Sequence, residues 1–464
     1  MWRGAVIDAM HLPNFAHRRK PAAMLKPANV HRLAKLTEAQ RQALLTRTET
    51  DLLTFTEKVK PIMQAVRDEG DVALARFAQQ FDKAALQANA IAATPEDFVR
   101  AEKTLDPAMH QAMVFAAESI TRFHTSQMPE KQWMMEVRPG VFAGDRTTAI
   151  ASVACYVPRG KGSFPSSVLM TAIPATVAGV ENICIITPPG PDGQIDDATL
   201  VAARLAGVSK VYKAGGAQAI AAVTYGTQTI SPVRKIVGPG SPWVAAAKRL
   251  VADLVDVGTP AGPSETIVMA DSTTSGRLAA LDLLVETEHG PDSSGYLVTW
   301  DETVARDAQA AFAEYYKHMS PLRIEYAQAV LSGPLGGVVL ARDEDDAIAF
   351  INAYAPEHLQ ILSKEPKRYV DRIKHAGEIL LGEYAPSTLA NFVVGPSHVL
   401  PTGGWARTGS ALSVHDFLKR TSIVDITKQG YMLLAPHAKT FADYEGFDAH
   451  GNAVSKLRDG LVGN

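Results

Sequence analysis

Ile150-Ala151-Ser152-Val153-Ala154-Cys155-Tyr156-Val157, followed by Asn182-Ile183-Cys184-Ile185-Ile186-Thr187, decides the fold of this chain. Each is a short, almost continuous apolar run. Such runs suit strands buried on both faces, and those strands belong to parallel sheets. Residues 167–180 between them read as a helix. The alternation continues with a helix over 197–206, a strand over 210–213, a helix over 217–225, a strand over 235–237 and a helix over 242–256. Short strands alternating with helices of roughly ten to fifteen residues predict a parallel, doubly wound sheet.

The pattern resumes after Ala261. Strands are predicted over 266–269, 295–299, 337–340 and 379–381, and helices over 277–288 and 345–353. The reading is therefore α/β with two doubly wound parallel-sheet units, 148–260 and 261–400. Upstream, Phe55, Val59, Ile62, Met63 and Val66 recur at spacings of three and four, so 28–147 is expected to be a helical entry region. The stretch 401–464 is polar and helical in pattern, too thin to hold a core of its own. The start, 1–27, carries the basic run His17-Arg18-Arg19-Lys20 but no apolar segment of signal-peptide length; it reads as a poorly ordered extension or an alternative start.

A chain of 464 residues has room for two to four domains. With 46% hydrophobic residues, 20% charged residues and a net charge of −3, it has the composition of an ordinary globular protein, and nothing points to nucleic acid or a membrane as partner. No apolar run approaches the ~18 residues of a membrane span. The two cysteines, Cys155 and Cys184, sit in strand-like apolar runs and read as core residues, consistent with a reducing, cytoplasmic setting.

Four stretches carry chemistry. In Leu281-Asp282-Leu283-Leu284-Val285-Glu286-Thr287-Glu288-His289-Gly290-Pro291-Asp292, a helix delivers Glu286 and His289 to one face and stops at Gly290-Pro291. A carboxylate and an imidazole so placed can hold a metal ion; a solvated helix end with His289 on the helix dipole has the same pattern. Glu357-His358, after Pro356, pairs a carboxylate with an imidazole at the expected end of a helix: either a general acid/base pair or a surface pair. Adjacent helical residues diverge, so the two would serve different steps. Gly215-Gly216-Ala217-Gln218 and Gly238-Pro239-Gly240-Ser241 each follow a strand and precede a helix, where backbone N–H groups meet anions, although tight turns look the same.

Taken in order with Ala261-Gly262-Pro263-Ser264-Glu265-Thr266, Tyr354-Ala355-Pro356-Glu357-His358-Leu359, Ser397-His398-Val399-Leu400-Pro401-Thr402-Gly403-Gly404 and Glu445-Gly446-Phe447-Asp448-Ala449-His450, these segments make the chain resemble histidinol dehydrogenases from about residue 59 to 454. The resemblance implies two incomplete Rossmann-like domains, with zinc and NAD as cofactors. It implies four-electron oxidation of a primary amino alcohol to the carboxylate, L-histidinol to L-histidine through the aldehyde, in histidine biosynthesis. It assigns His358 as the base on the alcohol and Glu357 as the activator of water for the second oxidation. It puts Glu286, His289, Asn391 and His450 on the metal, and Tyr156, Gln218 and Ser241 on NAD. The substrate would meet Ser264, Glu286, His289, His358, Asn391, Glu445 and His450. It also implies a homodimer with shared active sites, in which Glu445 and His450 come from the second subunit.

The chain departs from that family's pattern in three places. Glu286 stands where the family has Gln and Asn391 where it has Asp, so the two charge changes cancel. Ser241 replaces the usual Asn. Two other readings stay open on this basis. One is a paralogue oxidising another primary alcohol, for example a sulfopropanediol, for which Arg159 or Lys161 would offer positive charge. The other is a diverged copy without catalysis.

Overall fold

The computed structural model describes residues 25–47, 52–159, 162–459 and 461–462. The basic run at 17–20 and Lys161 lie outside the described residues.

Thirteen strands follow one another among the described residues: β1 (Val30–Arg32), β2 (Gln132–Arg138), β3 (Val141–Ala149), β4 (Ser152–Tyr156), β5 (Asn182–Thr187), β6 (Lys210–Lys213), β7 (Lys235–Val237), β8 (Glu265–Ala270), β9 (Ser294–Thr299), β10 (Gly336–Leu340), β11 (His358–Leu362), β12 (Glu378–Leu381) and β13 (Leu418–Ile426). They make a parallel sheet in the order β6-β5-β4-β7, a parallel sheet in the order β1-β10-β9-β8-β11-β12, and an antiparallel sheet in the order β13-β3-β2. In each parallel sheet the chain winds outward over three strands and then crosses back to the other side of the first. The expected pair of doubly wound units is present, with reversal points between β4 and β7 and between β8 and β11.

The cores explain the apolar runs. Val153, Cys155, Val157 and Ile185 pack with helices on one face of the first sheet; Ala154, Tyr156, Cys184 and Ile186 pack on the other. Val268, Leu297 and Val338 line one face of the second sheet, and Ile267, Tyr296, Val298 and Val339 the other. With helices on both faces, every residue of β8, β9, β10 and β11 is buried. Cys155 and Cys184 are free, buried thiols, pushed up to about 12 by burial.

Four expectations need correction. The entry region is helical over Leu52–Glu69, Pro95–Thr104 and Pro107–Ser126, but β1 leaves it to join the edge of the second parallel sheet, and β2 and β3 form a hairpin. The tail is not helical throughout: β13 is nine residues long and pairs with β3. Glu357-His358 does not end a helix. The helix Glu344–Tyr354 stops when Ala355 adopts φ 53°, a left-handed cap, and the chain turns before His358 opens β11. The helix expected over 242–256 ends earlier, at Pro242–Leu250.

Gly240, just after β7, donates its N–H to Ala261 O, and four residues on Glu265 begins β8. The carboxyl end of β7 thus lies near the amino end of β8.

Candidate active site

His358 opens β11 and is buried. Gln360, two residues on, shares its face of the strand, and the helix Gly276–Thr287 covers that face. Asp282 and Glu286, one turn apart, reach the two strand residues in register. Gln360 Nε2 donates to Asp282 Oδ2 across 2.7 Å, and Glu286 Oε2 lies 3.9 Å from His358 Nε2. The match is geometric: four helical residues rise about 6 Å and two strand residues about 6.7 Å.

Two further carboxylates surround the imidazole. Parallel pairing sets Glu378 of β12 beside His358, with Oε1 2.5 Å from Nδ1. Glu357 Oε1 lies 3.7 Å from Nε2, while its Oε2 accepts the N–H of Glu265 at 2.9 Å. Burial alone would lower the imidazole, but Glu286, Glu357 and Glu378 outweigh it and hold His358 up at about 10. Burial pushes the Glu357 carboxyl up to about 8 against the pull of His358. Glu286 is buried too, yet the facing His358 and His289 and the amide of Asn391 bring it below the usual carboxylate range. Glu265 is neutralised separately. Arg47 Nε lies 2.8 Å from its Oε1, with the guanidinium 3.3 Å above the centre of the Tyr354 ring, and Gly403 N–H donates to the same oxygen.

Of the expected metal ligands, the structure brings three together. Asn391 Nδ2 donates to Glu286 Oε1 across 2.7 Å, and His289 Nδ1 lies 3.2 Å from Glu286 Oε2. An amide, a carboxylate and an imidazole are a donor set that zinc accepts, one short of four. His450 does not join them. It is exposed on the helix Asp448–Ala453 with its ring against Phe447, and Glu445 is exposed at the end of the preceding helix. Among the described residues no three His, Cys, Asp or Glu side chains converge as a metal site. Three such donors leave the fourth position of a tetrahedral site open.

The expected cofactor residues gather at the carboxyl edge of the first sheet, around its reversal point. Tyr156 ends β4, and its hydroxyl accepts the N–H of Gly216 at 3.1 Å. Gln218 follows on the buried first turn of the helix Gly216–Tyr225. Ser241 caps the helix Pro242–Leu250 without a side-chain bond to it. Ligands of doubly wound sheets bind at such an edge. Ser264, half-buried, immediately precedes β8.

Four residues of this neighbourhood escaped functional assignment from sequence. Glu265 and His398 stood inside quoted motifs. His398 bonds through Nδ1 to Asn391 O at 2.8 Å and through Nε2 to Ser167 Oγ at 3.1 Å, tying the helix of Asn391 to the first unit. Arg47 and Glu378 carry no motif; their roles depend on strand register and on contacts across hundreds of residues.

The model of the histidinol dehydrogenase family matches residues 45–458. A "Histidinol dehydrogenase homolog 2" of Mesorhizobium japonicum is 54% identical over 435 residues, covering 94% of this chain and 99% of that protein. The "Histidinol dehydrogenase" of Synechocystis sp. is 45% identical over 431 residues, covering 93% and 99%. The crystal structure of histidinol dehydrogenase from Elizabethkingia anophelis superposes with a TM-score of 0.87 at 32% identity, covering 95% of this chain and all of that one.

Fold, site and matches define an NAD-dependent alcohol/aldehyde dehydrogenase. The chain belongs to the histidinol dehydrogenase family.

Proposed function

We propose that this enzyme oxidises a primary amino alcohol to the carboxylate in two successive steps, with L-histidinol as its substrate and L-histidine as its product. The observation that carries the reading is the buried imidazole of His358, set among Glu286, Glu357 and Glu378, with Glu286 also meeting His289 and Asn391. Carboxylates in that number suit a cationic substrate and repel an anionic one.

The overall change consumes the alcohol, one water and two NAD⁺, and yields the carboxylate, two NADH and three protons. Bound NAD would take up each hydride, and zinc held by Glu286, His289, Asn391 and the partner subunit's His450 would polarise and orient the alcohol. His358 Nε2 takes the hydroxyl proton. In the free chain the imidazole offsets the surrounding carboxylates; positive charge held at Glu286 would offset them in its place, with His358 Nε2 as the base. Glu357 has the burial and the raised carboxyl of a group suited to moving a proton near neutral pH, here from the water that adds to the aldehyde. Tyr156, Gln218 and Ser241 at the edge of 148–260 would meet the cofactor, and Ser264 and Glu445 the substrate.

Sharing of sites in a homodimer is supported by apolar surface. Both strands flanking β3 are exposed along almost their whole length, with Trp133, Met135 and Val137 on β2 and Val424 and Ile426 on β13. The tail that follows exposes Met432, Phe441 and Tyr444, the last to 92%. An apolar surface of this extent marks an interface. Among the described residues no helix is long and apolar enough to cross a membrane, and a cytoplasmic enzyme is proposed.

A second reading is a relative acting on another primary alcohol. It is favoured by the exchange at Glu286 and Asn391, and by identities of 53–55% to proteins called homologs against 45% to the Synechocystis enzyme. Turnover with L-histidinol against a panel of amino alcohols and sulfopropanediol, with zinc and NAD, separates the two.

A further inference from the structure

The carboxylate of Glu378 lies 2.5 Å from Nδ1 of His358, and the fold dictates the pairing. Residues paired in parallel strands project to the same face, and the β11–β12 register matches His358 with Glu378. The backbone repeats the link, with Glu378 N–H donating to Glu357 O at 3.0 Å. Both side chains are largely buried, at 4% and 13% exposure, so water competes weakly for the bond.

An imidazole has two distinct nitrogens, and the partner of one decides the state of the other. A carboxylate accepts hydrogen bonds and donates none, so Nδ1 facing Glu378 must carry its hydrogen. Nε2 is then the nitrogen turned toward Glu357, Glu286 and the substrate side. We propose that Glu378 is a positioning residue for the reaction: it locks the ring orientation and tautomer of His358 so that Nε2 is the proton acceptor. The inference rests on the reading of His358 as the base on the alcohol.

The test combines two measurements on the full-length protein. The first is the ¹⁵N and low-field ¹H NMR of labelled histidine, with His358→Asn identifying the resonance. The unmodified protein should show a low-field Nδ1 proton that disappears in Glu378→Gln. The isosteric amide can present its NH₂ group to the ring and leaves the volume unchanged. The second is steady-state kinetics. Glu378→Gln should lower kcat by roughly 10²- to 10⁴-fold with KM little changed, the pattern seen when an amide replaces the carboxylate behind a catalytic imidazole. Glu378→Asp should recover part of the loss. Persistence of the low-field proton in Glu378→Gln would overturn the pairing, and unaltered kcat with the proton lost would overturn its importance for turnover. If no alcohol on the panel is oxidised, the reading of His358 fails, while the NMR comparison still decides whether Glu378 orders the ring.

Discussion

Asn391 and Glu286 are hydrogen-bonded to each other across 2.7 Å, amide nitrogen to carboxylate oxygen, at the two positions where the resemblance leads one to expect Asp and Gln. The two expected replacements would then be one compensated change in a single contact. On the proposed ligand set, the carboxylate stands on the helix Gly276–Thr287 and the amide on the helix Ser387–Phe392.

This contact predicts the outcome of a double-mutant cycle read by metal analysis. Glu286→Gln should lose zinc, because it leaves no anionic protein ligand among the expected set. Glu286→Gln combined with Asn391→Asp should regain it. Full zinc occupancy in the single variant would show that the carboxylate is not needed.

The two neighbours Glu357 and His358 should separate the two oxidations. His358→Ala should lower turnover of the alcohol by roughly 10²- to 10⁴-fold. Glu357→Gln should leave the first NADH burst intact and arrest the second, so that aldehyde accumulates. Equal slowing of the first step in both variants, in single-turnover absorbance traces, would contradict this division.

The proposed sharing of sites makes a prediction about mixtures. His358→Ala and His450→Ala subunits should each be inactive as homodimers, yet their heterodimer should contain one intact site. Co-refolded in equal amounts, they should regain about a quarter of normal activity, since half the dimers are mixed and half their sites intact. Recovery no better than either variant alone would contradict exchange of the tail.

Asp346 ties the entry region to the second unit through Arg41, with Arg342 on its other side. Burial would raise its carboxyl, but bonds from the Arg342 side chain and backbone and from Arg41 bring it from 3.8 down to about 2. A carboxyl depressed on folding stabilises the protein above its unfolded value and loses that contribution as pH falls through its folded one. Asp346→Asn should therefore cost roughly 2 kcal/mol near neutrality. The difference in denaturation midpoint should shrink between about pH 4 and pH 2; an unchanged gap across that interval would show that the ion pairs contribute nothing.

The parallel sheets were legible because their strands are buried on both faces and so stand out as apolar runs. What remained hidden lacked that signature. β2 is exposed along its whole length, and Trp133, Met134 and Met135 give no alternation of apolar and polar residues. β11 was misread because Ala355, with φ 53°, stops the preceding helix without a glycine. Quoted motifs reached His289, Glu286 and His358. Glu378 remained hidden because its meeting with His358 is a matter of strand register, and Arg47 because its partner Glu265 is more than 200 residues away.

The most direct test of the account is the stoichiometry of NADH formed when purified, zinc-loaded enzyme exhausts a limiting amount of L-histidinol. The account predicts two NADH per alcohol and L-histidine as the product. One NADH per alcohol with aldehyde released, or no reduction of NAD at all, would contradict it.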